Sequence, residues 1–214
     1  MGEIVLVRHG QANSAAKTEA DYDRLSDLGH RQAEWLGDWF RDQGEVFDDT
    51  FCGSLNRHHQ TADAMGAGER HEDPRLNEMD YFNLGHALEA SHGVPFPGPD
   101  EFAAHVPQVM NAWHDAQIMG NETFAAFESR ITAALTEAAT EGRRVLCITS
   151  GGVIGMVMRH ILQLDPTRLA HVLLPIRNTS VHRLWIRDDA MILSGFNATP
   201  HLDRADRAAA RTTY

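Results

Sequence analysis

The 214-residue sequence has only two cysteines, Cys52 and Cys147, each within an apolar stretch. A small secreted domain stapled by disulfides is thereby excluded, and both thiols are expected to be reduced core residues. No apolar run approaches the roughly 18 residues of a membrane-spanning helix. The segment Met1 to Gly10 has no basic n-region and too short an apolar stretch to read as a signal peptide. Basic residues are few: 19 against 30 acidic, a formal charge of −11. That balance argues against sequence-independent nucleic-acid binding, which needs clustered Lys and Arg, but it leaves room for a small basic pocket. Neither a His-Glu-x-x-His nor a Cys-x-x-Cys spacing occurs, so no metal site is expected. These absences point to a soluble, cytoplasmic protein with neither nucleic acid nor membrane as partner; its oligomeric state cannot be read from the sequence.

What is present is ordinary for a globular chain, with 43% hydrophobic and 23% charged residues. A chain this long buries roughly 70% of its unfolded surface, enough for one domain with its own core. Ile4-Val5-Leu6-Val7 reads as a buried strand running into Arg8-His9-Gly10. Ser26 is a candidate N-cap for a helix with Ala33, Leu36, Trp39 and Phe40 on one face, ending at Gly44. A second strand, Asp49 to Gly53, leads into a helix carrying Arg57, Thr61, Ala62 and Met65. From Asp80 to Gly120 the periodicity loosens around the proline-rich stretch Gly93 to Pro99, which predicts a cap insertion over one end of the sheet. A helix from Glu122 to Glu141, a strand Val145 to Ile148 and an apolar helix Val153 to Leu162 follow. Ser180 to Ile186 and Met191 to Phe196 flank Asp188-Asp189 as a hairpin. The tail beyond His201 reads as a last helix or a frayed end. The alternation predicts a three-layer α/β/α sandwich with a mostly parallel sheet, residues 1–214 forming one domain and 80–120 its cap.

In such sheets ligands bind beyond the carboxyl ends of the strands. Three chemically pointed motifs fall there: Arg8-His9-Gly10, Ser54 to Arg57, and Ser150-Gly151-Gly152. Two arginines and a glycine pair opening a helix make an anion site suited to phosphate. The neutral imidazole of His9 is a competent nucleophile toward phosphorus. Phosphoryl transfer is catalysed mainly by positioning and charge stabilisation, and the departing alkoxide needs an acid, for which Glu78 is a candidate.

At these residues the sequence resembles the histidine phosphatase superfamily, the phosphoglycerate-mutase-like proteins. The matching segments are Val5 to Gly10, Leu25-Ser26-Asp27-Leu28-Gly29 with Gln32-Ala33, and Ser54 to Arg57 with Gln60-Thr61-Ala62. They continue with Leu76-Asn77-Glu78, Phe127 to Arg130, Gly151 to Ile154 and Asn178 to Val181, in the family's order over nearly the whole chain. The resemblance implies a phosphohistidine on His9, with no metal and no cofactor. Arg8 and Arg57 would hold the phosphoryl oxygens, with Ser150 and Gly151 beside them, and Glu78 would donate the proton. The substrate would be a phosphorylated small molecule or a phosphoprotein.

The departures qualify this. Thr149-Ser150-Gly151-Gly152 stands where the family has Ser-His-Gly-Gly, so Ser150 replaces the second active-site histidine. Exchanging a charged donor for a neutral one costs about 1–2 kcal/mol, and losing a preorganised donor outright costs about 10²–10³-fold in rate. His58 and His86 are candidates to fill the gap. The family's pattern after the acid is absent, with Phe82, Leu84 and Gly85 in those positions, so Asp80 and Glu89 stay open as the acid. The asparagine expected six residues beyond the nucleophile is replaced by Ala15, and Asn13 is out of register. No sugar-phosphate clamp is recognisable, which favours a phosphatase over a mutase. Two other classes remain: a degenerate member that only binds a phosphorylated ligand, and a serine hydrolase using Ser150, whose elbow lacks its glycine at Ile148. The remaining histidines, His58-His59 included, are expected at the surface. Trp35, Trp39, Trp113 and Trp185 are expected to be packing residues.

Overall fold

In a computed structural model describing residues 2–16, 18–188 and 190–213, one six-stranded sheet organises the chain. The strands are β1 (Gly2–Arg8), β2 (Asp49–Cys52), β3 (His71–Glu72), β4 (Arg144–Thr149), β5 (Val181–Arg187) and β6 (Ala190–Ala198), in the spatial order β3-β2-β4-β1-β5-β6. The pairs β1–β4, β2–β4 and β2–β3 are parallel, whereas β5 runs antiparallel to both β1 and β6. The expected hairpin is therefore present as β5–β6; Asp189 of its turn lies outside the described residues.

The helices are α1 (Glu19–Tyr22), α2 (Asp27–Asp42), α3 (Asn56–Met65), α4 (Tyr81–His92), α5 (Phe102–His114), α6 (Phe124–Ala138), α7 (Gly151–Leu162) and α8 (Pro166–Leu173). Alternation along the central strands divides the core in two. Val5 and Val7 of β1 with Leu146 and Ile148 of β4 pack on α2 and α3. Ile4, Leu6, Val145 and Cys147 face the opposite cluster, which draws on α4 through α8. This is the three-layer α/β/α arrangement with a mostly parallel sheet. Cys52 and Cys147 are both free and buried, and burial pushes both thiols up to about 12.

Local chemistry sets several boundaries. Ser26 Oγ accepts the Gly29 N–H at 3.1 Å and starts α2 as expected. Thr123 caps α6 through the Ala126 N–H, so that helix begins two residues later than its apolar pattern and ends at Ala138. Three helices were not legible in the sequence, the single turn α1 among them. The region from Asp80 onward contains α4, started by Asp80, whose carboxylate accepts the Asn83 N–H. Asp165 and Pro166 start α8. The tail is neither an α-helix nor frayed: it forms 3₁₀ turns at Pro200–Leu202 and Ala205–Ala210, and Gln32 donates to the Ala210 carbonyl at 2.6 Å. Trp113 is buried, but Trp185 on β5 is 43% exposed, a correction to its expected packing role. Among the described residues no helix is long and apolar enough to cross a membrane.

Candidate active site

The turn after β1 is fixed from four directions. The His9 N–H donates to Thr149 O at 2.9 Å, extending the β1–β4 pairing by one residue. The Gly10 N–H donates to Thr61 Oγ1 at 3.0 Å, while Thr61 donates to Arg57 O at 2.7 Å, tying the turn to α3. Asn178 Nδ2 donates to His9 O at 3.3 Å from the loop before β5. Gly10 also lies against the start of α2, where a Cβ would come within 2.4 Å of Gly29 O.

His9 is buried at the centre of this arrangement. Its Nδ1 lies 2.7 Å from Gly10 O. A carbonyl can only accept, so Nδ1 carries the proton and the lone pair is on Nε2. Burial, followed by the charges of Arg57 and Arg8 and by His58, holds His9 well below the ordinary histidine range. The ring is therefore neutral at pH 7.

Arg57 is fully buried on α3, not a surface arginine. Nη1 donates to Glu19 at 2.7 Å and to Asp23 at 3.2 Å, and the guanidinium lies 5.0 Å from the Tyr22 ring centroid. Asp23 also accepts the backbone N–H groups of Asn56 and Arg57 and so caps α3, whose own N-cap Leu55 has no side-chain acceptor. Arg8 donates through Nη1 to the carbonyls of Ile176 and Thr213. Arg8 Nε, Arg57 Nε and Arg57 Nη2 are all buried and have no partner among the described residues.

Glu78 lines the same cavity. Its Oε1 accepts the Met79 N–H at 3.0 Å and its Oε2 accepts the Gly152 N–H at 2.8 Å, in the first turn of α7. Gly152 is required by this approach, because a Cβ there would lie 2.0 Å from Glu78 Oε1. The segment carrying Glu78 is held by Thr149, which donates to Leu76 O at 2.6 Å, and by Asn77, which exchanges two 2.8 Å hydrogen bonds with Ser54. Of the other candidate acids, Asp80 is committed to capping α4 and to bonds from Asn83 and Asn121. Glu89 lies 3.6 Å from His86 on the exposed side of α4. Neither lines the cavity.

Ser150 precedes α7 but makes no capping bond. Its Oγ lies 2.6 Å from Nε2 of His58, and the His58 ring centroid is 5.8 Å from that of His9. His58 is fully buried, which corrects the surface reading; His105, His182 and His201 are buried as well. His59 alone of the pair meets solvent, bonded to Glu72 at 2.9 Å. Burial first, then the charge of Arg57 and neighbouring His59, holds His58 well below the usual range, so it too is neutral. The space for this ring comes from Gly53, where a Cβ would sit 2.2 Å from His58 Nδ1. His86 is on the outer wall of the cavity, stacked on Phe96 at 4.7 Å, and does not reach Ser150. The two glycines behave differently: Gly151 lines the cavity beside Arg8, whereas the Gly152 N–H is engaged by Glu78.

Of these groups Arg8, Arg57, Glu78 and Gly151 line a cavity of about 850 Å³, whereas His9, Ser150 and His58 are not among its lining residues. Among the described residues no cluster of three or more His, Cys, Asp or Glu side chains is placed to hold a metal ion.

A phosphoglycerate mutase-like protein of Salmonella paratyphi A, described as a probable phosphoglycerate mutase GpmB, is 28% identical over 204 residues, covering 92% of this chain and 90% of its own. The mitochondrial serine/threonine-protein phosphatase Pgam5 of Drosophila virilis is 27% identical over 162 residues, or 75% of this chain; the match spans half of that protein's length. Among solved structures, a mutant phosphoserine phosphatase from Entamoeba histolytica in complex with phosphoserine superposes with a TM-score of 0.70 at 17% identity, covering 94% of this chain and all of the other. A putative alpha-ribazole-5'-P phosphatase from Escherichia coli K-12 gives 0.67 at 19% identity, with 93% and 98% covered. The profile of the histidine phosphatase superfamily (branch 1) matches residues 4–199. With a match of that extent, the chain belongs to the histidine phosphatase superfamily.

Proposed function

We propose that the protein is a phosphomonoester hydrolase working through a phosphohistidine on His9, with no metal in its cycle. The observation that carries this reading is the set of three buried guanidinium nitrogens, on Arg8 and Arg57, that have no partner among the described residues and lie beside a neutral histidine. An unsatisfied buried donor costs about 1–3 kcal/mol, more when charged, so such a cluster calls for a ligand that supplies several acceptor oxygens. A phosphoryl group does so.

In the first step His9 Nε2 attacks phosphorus, the P–N bond forms and the ester P–O bond breaks. Glu78 serves as the acid that passes a proton to the departing alkoxide. In the second step Glu78 takes a proton from water, the oxygen attacks phosphorus, and the P–N electron pair returns to Nε2 as orthophosphate leaves. Arg8 and Arg57 stabilise the charge on the equatorial oxygens in both steps, and Gly151 borders them at the start of α7. Ser150 Oγ and neutral His58 Nε2 share a hydrogen bond of 2.6 Å beside His9. This neutral pair takes the place of the family's second histidine.

One observation bears on the serine-hydrolase reading: the 2.6 Å contact between Ser150 and His58 resembles a nucleophile with its base. Ser150 is, however, in an ordinary extended conformation (φ −117°, ψ 168°) rather than a strained elbow, and His58 Nδ1 faces the Gly53 backbone, not a carboxylate. Hydrolysis of p-nitrophenyl phosphate in the presence of chelator separates the readings. Turnover that falls at least about 10³-fold in His9→Ala supports the histidine mechanism. Equal inertness of both proteins overturns it in favour of a binding role, and fluorophosphonate labelling of Ser150 overturns it in favour of serine chemistry.

A further inference from the structure

We infer that the outer part of the cavity is a subsite for an apolar, aromatic-sized alcohol, so that the substrate is a small ester with one phosphate and no second anionic group. This rests on the phosphatase reading of the floor and adds the class of leaving group.

The volume of about 850 Å³ far exceeds what a phosphoryl group occupies, and the excess lies against the helices of the 80–120 segment. Its walls are aromatic and half-buried. Phe82 on α4 and Phe96 on the following loop are stacked at 5.7 Å and 11° between planes, and Tyr22 of α1 meets Phe82 at 6.3 Å. Phe96 is seated by Gly85, where a Cβ would fall 2.7 Å from the ring edge. A glycine inside a helix is unfavourable by about the margin that separates it from alanine; here it lets the ring lie flat against α4 and face the cavity.

The charges point the same way. Among the described residues Arg8 and Arg57 are the only arginines or lysines lining the cavity, and Arg57 Nη1 is already occupied by Glu19 and Asp23. The other formal charges on the walls are the carboxylates of Glu19 and Glu78. A second phosphate or a carboxylate on the substrate would meet these carboxylates or aromatic rings, and among the described residues no further arginine or lysine lines the wall to pair it, His86 being its one other titratable base. An apolar group would instead cover ring surface that water now reaches.

The test compares kcat/KM for 2-phenylethyl phosphate, ethyl phosphate and phosphoserine, all esters of alkyl alcohols, so that leaving-group reactivity does not decide the order. The expected ratio of phenylethyl to ethyl is about tenfold to hundredfold, the discrimination that burial of one phenyl-sized group supplies, with phosphoserine no better than ethyl phosphate. Phe96→Ala and Gly85→Ala are expected to bring that ratio toward one; loss of folded protein would lower both rates and leave the ratio unmoved. Calorimetric binding of 2-phenylethylphosphonate against 2-carboxyethylphosphonate reads the subsite without turnover. Preferential binding of the phenyl compound by a protein that hydrolyses none of the esters supports the subsite while removing the phosphatase reading. Hydrolysis of phosphoserine at least as efficient as that of phenylethyl phosphate, or the reverse order of phosphonate binding, overturns the subsite and leaves the phosphatase reading standing.

Discussion

His9 is neutral because of its burial and the charges of Arg57, Arg8 and His58, and the sign of that shift has a kinetic consequence. The nucleophile is competent above its pKa, and the pKa lies well below the usual value of about 6.5. Once the substrate's second ionisation near about 6 is divided out, kcat/KM should show no acid limb in the ordinary histidine range. A limb at about 6.5 or above in the pH–rate profile would contradict the geometry around His9. Glu78 makes a second prediction. Glu78→Gln should lower kcat by about 10²–10⁴ for an alkyl ester, whose alkoxide needs a proton, and much less for p-nitrophenyl phosphate; equal losses on the two esters would remove the acid role. At this scale the sequence was informative where a residue's neighbours in the chain decide its place. Arg8, His9, Arg57 and Glu78 converge because each follows a strand or is tied to one. His58 was legible only as one of two candidates beside His86, because its burial depends on the missing side chain at Gly53 and on Ser150, a residue 92 positions away. Glu78 was separated from Asp80 only by α4, a helix that uses Asp80 as its cap.

Helices that approach each other closely do so through residues that look like weak points in the sequence. Gly37 lies in the middle of α2, where alanine would ordinarily be favoured by about 1 kcal/mol. In the folded chain a Cβ at Gly37 would come 2.1 Å from Met65 O at the end of α3. Gly37→Ala should therefore destabilise the protein, by about 1–3 kcal/mol as overpacking does, measured as a lower urea midpoint at unchanged slope; an unchanged or raised midpoint would show that α2 and α3 are not in this contact. The same logic explains which elements the sequence hid. Helix α2 has one apolar face and a polar one, and its limits were readable from Ser26 onward. Helix α4 presents apolar or aromatic residues on two sides: Leu84 and Leu88 enter the core while Phe82 and the exposed His86 line the cavity, and Gly85 interrupts the pattern. Its periodicity is blurred because it serves two surfaces. β3 is two residues long and could not announce itself.

Across the whole molecule, five histidines are buried and held below their ordinary range, two of them, His182 and His201, pushed down to about 3, chiefly by burial. The unfolded chain binds their protons near about 6.5 and the folded chain does not, so stability is fully present above that pH and is lost as pH falls toward about 3. His182 and His201 together contribute a loss of about 3 kcal/mol between about pH 6.5 and 5. Urea unfolding across that interval should show the midpoint falling steeply, and a flat profile would mean that these rings are solvated. The three-layer fold itself was legible because the runs at β1 and β4 alternate between two apolar clusters, a pattern that needs a layer of helices on each face. The edge strand β3, helices α4 and α8 and the 3₁₀ tail depend on contacts distant in the chain and were less so. The central claim, that His9 carries the phosphoryl group, is tested most directly by quenching turnover of a ³²P-labelled ester in alkali and mapping the label. The account predicts an alkali-stable, acid-labile label on the peptide containing His9, absent in His9→Ala; an acid-stable label on the peptide containing Ser150, or turnover that leaves His9 unlabelled, would contradict it.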